Sequence, residues 1–315
     1  MADTKVSALT ELTAPALTDM MYVVDDEVTD LSKRMTIATL RTFIGREVLT
    51  ANRTYYVRTD GSDSNTGLAD SAGGAFLTWQ AAFNLVRSTL DFAGYRVTLQ
   101  VGGSGSRTFS TSNVNVVQIT PWVGGGELAI QGDLDTPSEV TLTSNRNLIA
   151  TAGLLPGKIY IDGFTYETTG VAAAGCIFHA GVGQVFIGYN GANIFGSCVG
   201  PHLYSFGPAN YMELTGTVSI TGGALRHIQV VAGGHVYMDA DVTVSASLTF
   251  TTFALVGQLS FLEAYCTYST NVATGKRFDA GEGGVIADYA GATYFPGNSA
   301  GTGTDFGTDP WGLHV

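Results

Sequence analysis

The feature that most constrains this chain is a repeat of about 25 residues running through its second half. The triplets IYI, VFI, NYM, VYM, SFL and VIA stand immediately before Asp162, Gly188, Glu213, Asp239, Glu263 and Asp288, at spacings of 26, 25, 26, 24 and 25 residues. A turn glycine precedes most of them, at Gly181, Gly207, Gly233, Gly257 and Gly283, with spacings of 26, 26, 24 and 26. Two independent markers therefore hold one register. Longer versions end at Gln100 and Gln131. A unit of this size with two or three short apolar runs fits one coil of a parallel β-helix, in which equivalent positions stack about 4.8 Å apart. The signatures of leucine-rich and tetratricopeptide repeats are absent, and a propeller blade needs a longer unit.

Composition agrees with an all-β solenoid. Of 315 residues 41 are glycine and 8 proline, 45% are hydrophobic and only 13% charged. That profile excludes a disordered chain and favours short strands joined by tight turns. The net charge of −12 argues against nucleic acid as a partner, since counterion release needs a basic surface. Cys176, Cys198 and Cys266 are odd in number and lack a C-x-x-C pair, so buried free thiols are expected rather than a disulfide framework. No run of about 18 apolar residues or signal-type h-region is visible, so membrane insertion is not expected.

Four regions are expected. Residues 1–50 read as a small α+β attachment module: Met20 to Val24 and the following turn suggest a hairpin, and Met35 to Ile44 carries helical spacing. So few residues bury little, so the module needs a partner surface. Residues 51–92 form an entry cap, with a short helix over Leu77 to Leu90 marked by Phe76, Trp79, Phe83, Val86 and Leu90. Residues 93–295 are the β-helix body, and 296–315 a Gly/Thr-rich C-terminal extension.

Stacking the repeats produces two columns with chemical content. Asp162, Glu213, Asp239, Glu263 and Asp288 would form an acidic row with neighbours roughly 5 Å apart and alternate members about 10 Å apart, distances that also suit glycosidase carboxylate pairs. A solvated charge row, a catalytic set drawn from Glu213, Asp239 and Glu263, and a Ca²⁺ site are the three readings. The even spread of acids favours the first, because a general acid needs one privileged environment. Basic partners are scarce too, Lys158 being the one Lys or Arg between Asn147 and Leu225.

Two residues earlier stands an aromatic column, Tyr160, Phe186, Tyr211, Tyr237 and Phe261, ending in Ile286. Strand alternation puts it on the same face as the acids, with Ile161, Ile187, Met212, Met238 and Leu262 on the other. An outward row of rings is a glycan-binding or protomer-contact surface; an internal aromatic stack is the alternative. Cys176, His179, Cys198 and His202 form a C-x2-H and a C-x3-H about one coil apart, a spacing that would allow a stacked Zn²⁺ site although packed core is the default. No nucleophile elbow or phosphate-binding loop is present, and no cofactor is implied.

Three stretches resemble bacteriophage tail-fibre and tailspike proteins. Lys5 to Gly45 resembles their virion-attachment segment, TYYVRTDGSDSNTGLADSAGGAF (Thr54 to Phe76) with its following helix resembles the entry cap of their pectate-lyase-like β-helices, and GKRFDAGEGGVIADYAGATYFPGNSAG (Gly275 to Gly301) resembles a C-terminal stretch of phage tail proteins. The resemblance implies a right-handed, homotrimeric parallel β-helix in the virion, joined to a tail or baseplate protein through residues 1–50. Such a protein would present itself to a host surface glycan or another fibre protein. Members of this family are either structural adhesins or depolymerases that cut host polysaccharide, and the evenly spread acids favour the adhesin.

Overall fold

The computed structural model describes residues 20–24, 32–37, 45–170, 175–269, 273–288, 294–303 and 312–314, and divides into two compact units, 1–48 and 49–315. In the first unit Met20–Val24 pairs antiparallel with Ser32–Thr36, so Met35 and Thr36, at the start of the expected helical spacing, belong instead to a strand. Residues 38–44, where the helical spacing continues, lie outside the described residues.

The second unit is a parallel β-helix. Each coil contributes strands to three faces, and within a face the strands stack in chain order with every described pairing parallel. Face one begins with Arg53–Val57 and Arg96–Val101 and runs through Glu127–Gln131, Leu154–Asp162, Val182–Ile187, Asn210–Ile220, His235–Val244 and Phe261–Ala264 to Gly284–Asp288. Face two runs from Arg107–Thr111 through Val140–Ser144, Thr165–Thr168 and Asn193–Phe195, then takes the distal halves of Asn210–Ile220 and His235–Val244. Face three is built from Val117–Ile119, Ile149–Thr151, Ile177–His179, Pro201–Phe206, Arg226–Val231, Thr249–Val256 and Thr274–Ala280.

Alternation within each strand makes the core. On face one Val185, Met212, Val236, Leu262 and Ile286 stack inward, as do Ile187, Leu214, Met238 and Ala264, all fully buried. Face two points Leu142, Tyr166, Phe195 and Ile220 inward. Tyr166 and Phe195 lie nearly parallel at 5.1 Å, so an internal aromatic stack exists, but on a face other than the one carrying the repeat triplets. Truncating Phe195→Ala removes the ring shared by Tyr166, His202 and His227 and is expected to cost about 3–5 kcal/mol. A chemical-denaturation midpoint unchanged from wild type would contradict that packing.

The entry helix, α1, spans Trp79–Thr89. Thr78 caps it by accepting from the Ala81 amide, and the Asp63 carboxylate accepts from the Leu77 and Thr78 amides, tying the Gly/Ser/Asp-rich loop to the helix start. Trp79, Ala82, Phe83 and Val86 form its buried stripe, with the Trp79 ring edge-on to Phe109 and Phe164 at 5.4 Å. No described helix is long and apolar enough to cross a membrane. At the other end Phe253, Tyr268, Phe278, Tyr294 and Phe295 form a ring cluster. Beyond Pro296, Ser299 and Thr302 bridge to Lys276 and Asp279, continuing face three.

The stacking register departs from the one implied by the triplets. Tyr160 lies beside Phe186, but Phe186 lies beside Glu213, Glu213 beside Tyr237, and Tyr237 beside Glu263. Tyr211 belongs to the flanking column with His235 and Phe261, and Asp239 lies beside Thr215. The coils vary in length, and a two-residue slip leaves side chains facing the same way, so the apolar interior tolerates it. At the last triplet the shift is one residue: Ile286, expected in the outward aromatic column, lies beside Leu262 in the core, and Asp288 lies beside Ala264 rather than Glu263. The turn glycines also differ among themselves: Gly233 has φ of +84°, whereas a Cβ on Gly257 would meet nothing closer than 3.5 Å.

Candidate binding face

The outward columns of face one form a continuous ladder of rings. Arg96 holds the Glu127 carboxylate at 2.7 Å, and its guanidinium lies 4.6 Å over the Tyr160 ring. Tyr160 stacks on Phe186 at 5.2 Å, and Lys158 lies 5.3 Å from the Phe186 ring. The ladder continues from Phe186 to Tyr211 at 6.2 Å, from Tyr211 edge-on to His235 at 5.1 Å, and from His235 to Phe261 at 5.3 Å. The ladder spans five coils, so four strand spacings, about 19 Å, separate its ends. Tyr189 leans against Tyr160 and Phe186 from the adjoining turn and is 62% exposed.

Polar groups are threaded through these rings. The Tyr211 hydroxyl donates to Glu213 Oε2 at 2.8 Å. Glu263 meets His235 Nε2 at 2.9 Å and accepts from the Tyr265 hydroxyl at 3.4 Å. Burial and the Glu213 carboxylate push the Tyr211 phenol above its ordinary value, which keeps it neutral and donating. Tyr160, Tyr211 and His235 thus each have a polar edge fixed by a carboxylate, Phe186 and Phe261 are purely apolar, and Tyr189 stands out into solvent.

The five aromatics expected on one outward column all lie on the outer side of the strands, but in two columns, and Tyr160 is covered there by Arg96, Phe186 and Tyr189 and is buried. Tyr160, Phe186 and Tyr237 share one with Glu213 and Glu263, and Tyr211 and Phe261 share the other with His235. Arg96, Lys158, Tyr189 and His235 complete the ladder and escaped the sequence reading. His235 was within reach of it, lying 24 residues after Tyr211 and 26 before Phe261.

The evenly stacked acidic row does not form. Asp162 is buried, its Oδ2 accepting from Asn190 Nδ2 at 2.8 Å, and desolvation raises its carboxyl pKa. Glu213 and Glu263 lie two coils apart in one column, with Tyr237 on the coil between them. Asp239 lies in a flanking column beside Thr215.

The Cys/His set is likewise not gathered into a tetrahedron. His179 accepts from Thr151 Oγ1 at 2.6 Å through Nδ1 and donates to the Gly183 carbonyl through Nε2. His202 instead meets His227, Nδ1 to Nδ1 at 3.0 Å, and donates from Nε2 to the Gly196 carbonyl. Cys198 accepts from Thr168 Oγ1 at 3.1 Å. All three cysteines are buried free thiols, and burial pushes Cys266 up to about 12. Among the described residues no three His, Cys, Asp or Glu side chains are close enough to hold a metal ion.

Two grooves, of about 300 and 570 Å³, lie beside α1, lined by residues including Thr78, Trp79, Thr111, Val116 and Arg146; neither is lined by a carboxylate. Comparison with protein-family models, curated proteins and solved structures finds no match to this chain.

Proposed function

We propose that this chain is a structural, adhesive component of a phage tail fibre or tailspike, a homotrimer that binds host-surface glycan through face one. The observation that carries the reading is the outward ladder from Tyr160 to Phe261, with Tyr189 standing exposed beside it. Rings on successive coils, three of them with a polar edge held by a carboxylate, suit successive sugar units, whose C–H faces stack on aromatics while their hydroxyls meet carboxylates and phenols. The N-terminal unit supplies attachment to a tail or baseplate protein in this reading, by its resemblance to such segments.

The same geometry favours adhesion over cleavage. Glu213 and Glu263 are separated by Tyr237, and no described groove is lined by a carboxyl pair. The test is binding of purified host surface polysaccharide to wild type, Tyr189→Ala and the Tyr189→Ala/Phe186→Ala double variant, with reducing ends assayed in parallel. Binding weakened about tenfold or more in the double variant, without new reducing ends, is the expected outcome. Equal binding by all three proteins would remove face one as the receptor surface. Release of reducing ends that is lost in Glu213→Gln and Glu263→Gln would establish the depolymerase instead.

A further inference from the structure

Face three differs from the rest of the chain in carrying almost no charge. Over five successive coils it and its flanking corners comprise residues 147–155, 175–182, 199–209, 224–234 and 249–259, and Arg226 is the one Asp, Glu, Lys or Arg among them. At the 13% charged composition of the whole chain, fifty residues would hold about six. The depletion is local: the next coil of the same face carries Lys276, Arg277, Asp279 and Glu282.

Burial in the core does not account for it, because the outward positions are depleted as well. Phe178, Tyr204, Gln229 and Leu255 stack in one outward, half-buried column that ends on the buried Ala150. Phe178 and Tyr204 touch at 4.9 Å and Tyr204 reaches Phe206 at 6.1 Å, so the rings form a small apolar plateau. Along the adjoining corner Leu154 is 68% exposed, Val182 41%, Phe206 43% and Leu259 81%. The strip is about 19 Å long at the strand spacing. Face one, by contrast, shows Lys158, Glu213, Asp239 and Glu263 on its outward side, and face two shows Glu167 and Asp241 among threonines.

We propose that face three, with the corner bearing Leu154, Val182, Phe206 and Leu259, is where copies of this chain meet. The occupant follows from charge. Each copy carries −12, so two copies repel wherever their acidic faces approach. Face three is a long surface on which they meet few charges, Arg226 being the one in these coils, with its guanidinium donating to Gln229 Oε1 at 2.8 Å. A straight solenoid also offers an identical rise per coil to its neighbour, so Phe178, Tyr204 and Leu255 meet a partner surface of matching periodicity. This assignment rests on the multimeric reading above and separates its two surfaces: face three is covered by other copies and face one stays open to ligand.

The test uses the full chain. Sedimentation velocity of wild type, Phe178→Glu/Leu255→Glu and Tyr189→Glu is measured at equal concentration, with melting followed by circular dichroism. Wild type and Tyr189→Glu are expected to sediment as the same multimer of the 33.0 kDa chain, and the face-three double variant to dissociate with at least tenfold weaker association while retaining its β-sheet spectrum. Should the double variant misfold, Gln229→Cys treated with a short bifunctional maleimide decides instead. The three native thiols are buried and do not compete, and cross-linked chains are expected. A multimer that persists in the double variant, or Gln229→Cys chains that fail to cross-link, overturns the assignment of face three while leaving glycan binding intact. Wild type that is monomeric at 100 µM overturns the multimer itself. Loss of glycan binding with the multimer preserved strikes only the reading of face one.

Discussion

Lowering the pH from 7 to 4 is expected to destabilise the folded β-helix by on the order of 6 kcal/mol, through the buried histidines of face three. His179 and His202 are both held down to about 4, in each case first by desolvation, which penalises the imidazolium. A histidine depressed in the folded state contributes stability above its unfolded value near 6.5 and loses it as the pH falls towards the folded value. Each of the two therefore accounts for about 3 kcal/mol over this window.

The hydrogen bonds sharpen the point. His202 donates to Gly196 through Nε2, so its Nδ1 is an acceptor and His227 must donate from Nδ1. That leaves His227 Nε2 bare, buried, and without a donor among the described residues, and His227 is depressed further still. A proton added there would find no acceptor. Asp162 works in the opposite direction, because its raised pKa favours the folded state on acidification and offsets part of the loss. Urea midpoints at fixed protein concentration, at pH 7 and pH 4.5, give the measurement, and the His202→Leu/His227→Leu double variant should show a clearly shallower acid dependence. Equal wild-type midpoints at the two pH values would sink the idea, as would an unchanged slope in the double variant.

The second large effect is expected at Gly188, the member of the triplet series that carries no acid. Its φ is +82°, and a Cβ placed on it would stand 2.1 Å from the Thr215 carbonyl oxygen of the next coil. Gly188→Ala therefore combines left-handed strain of about 1–2 kcal/mol with a clash that relaxes only if two coils move apart, for a total of roughly 3–5 kcal/mol. Gly105 provides the control, with φ of +76° and open space around it, so Gly105→Ala should show the backbone cost alone, about 1 kcal/mol. Equal melting shifts for the two substitutions would show that the close approach of adjacent coils at Gly188 has been misassigned.

Gly188 also shows why the acidic row was illusory. A residue at that turn must adopt a left-handed backbone and let the neighbouring carbonyl approach, so the missing acid marked a steric requirement. Asp162, at the start of the same series, was equally misleading: it turns into the chain interior and binds Asn190. The sequence pattern contains residue types and spacings, and neither distinguishes a turn position that faces solvent from one that folds inward.

What the sequence alone determined is the solenoid and the facing of most side chains on face one, Asp162 and Ile286 being the exceptions that turn inward. The 25-residue period requires coils, and strict alternation sends Met212, Val236 and Leu262 inward and Tyr211, Tyr237 and Phe261 outward, because burying one apolar side chain per pair is worth far more than any local preference. The tertiary structure decided which outward residues become neighbours. A slip of two residues preserves side-chain facing and is invisible to alternation, so the register was free to follow the turns, whose lengths vary from coil to coil; the one-residue shift at the last triplet is what turned Ile286 inward. That slip moved Glu213 and Glu263 into the column of Tyr237, brought His235 between Tyr211 and Phe261, and left Asp239 beside Thr215. Likewise His202 and His227, 25 residues apart, become a pair only because their coils stack directly, a contact that depends on three-dimensional register rather than on the identity of either residue.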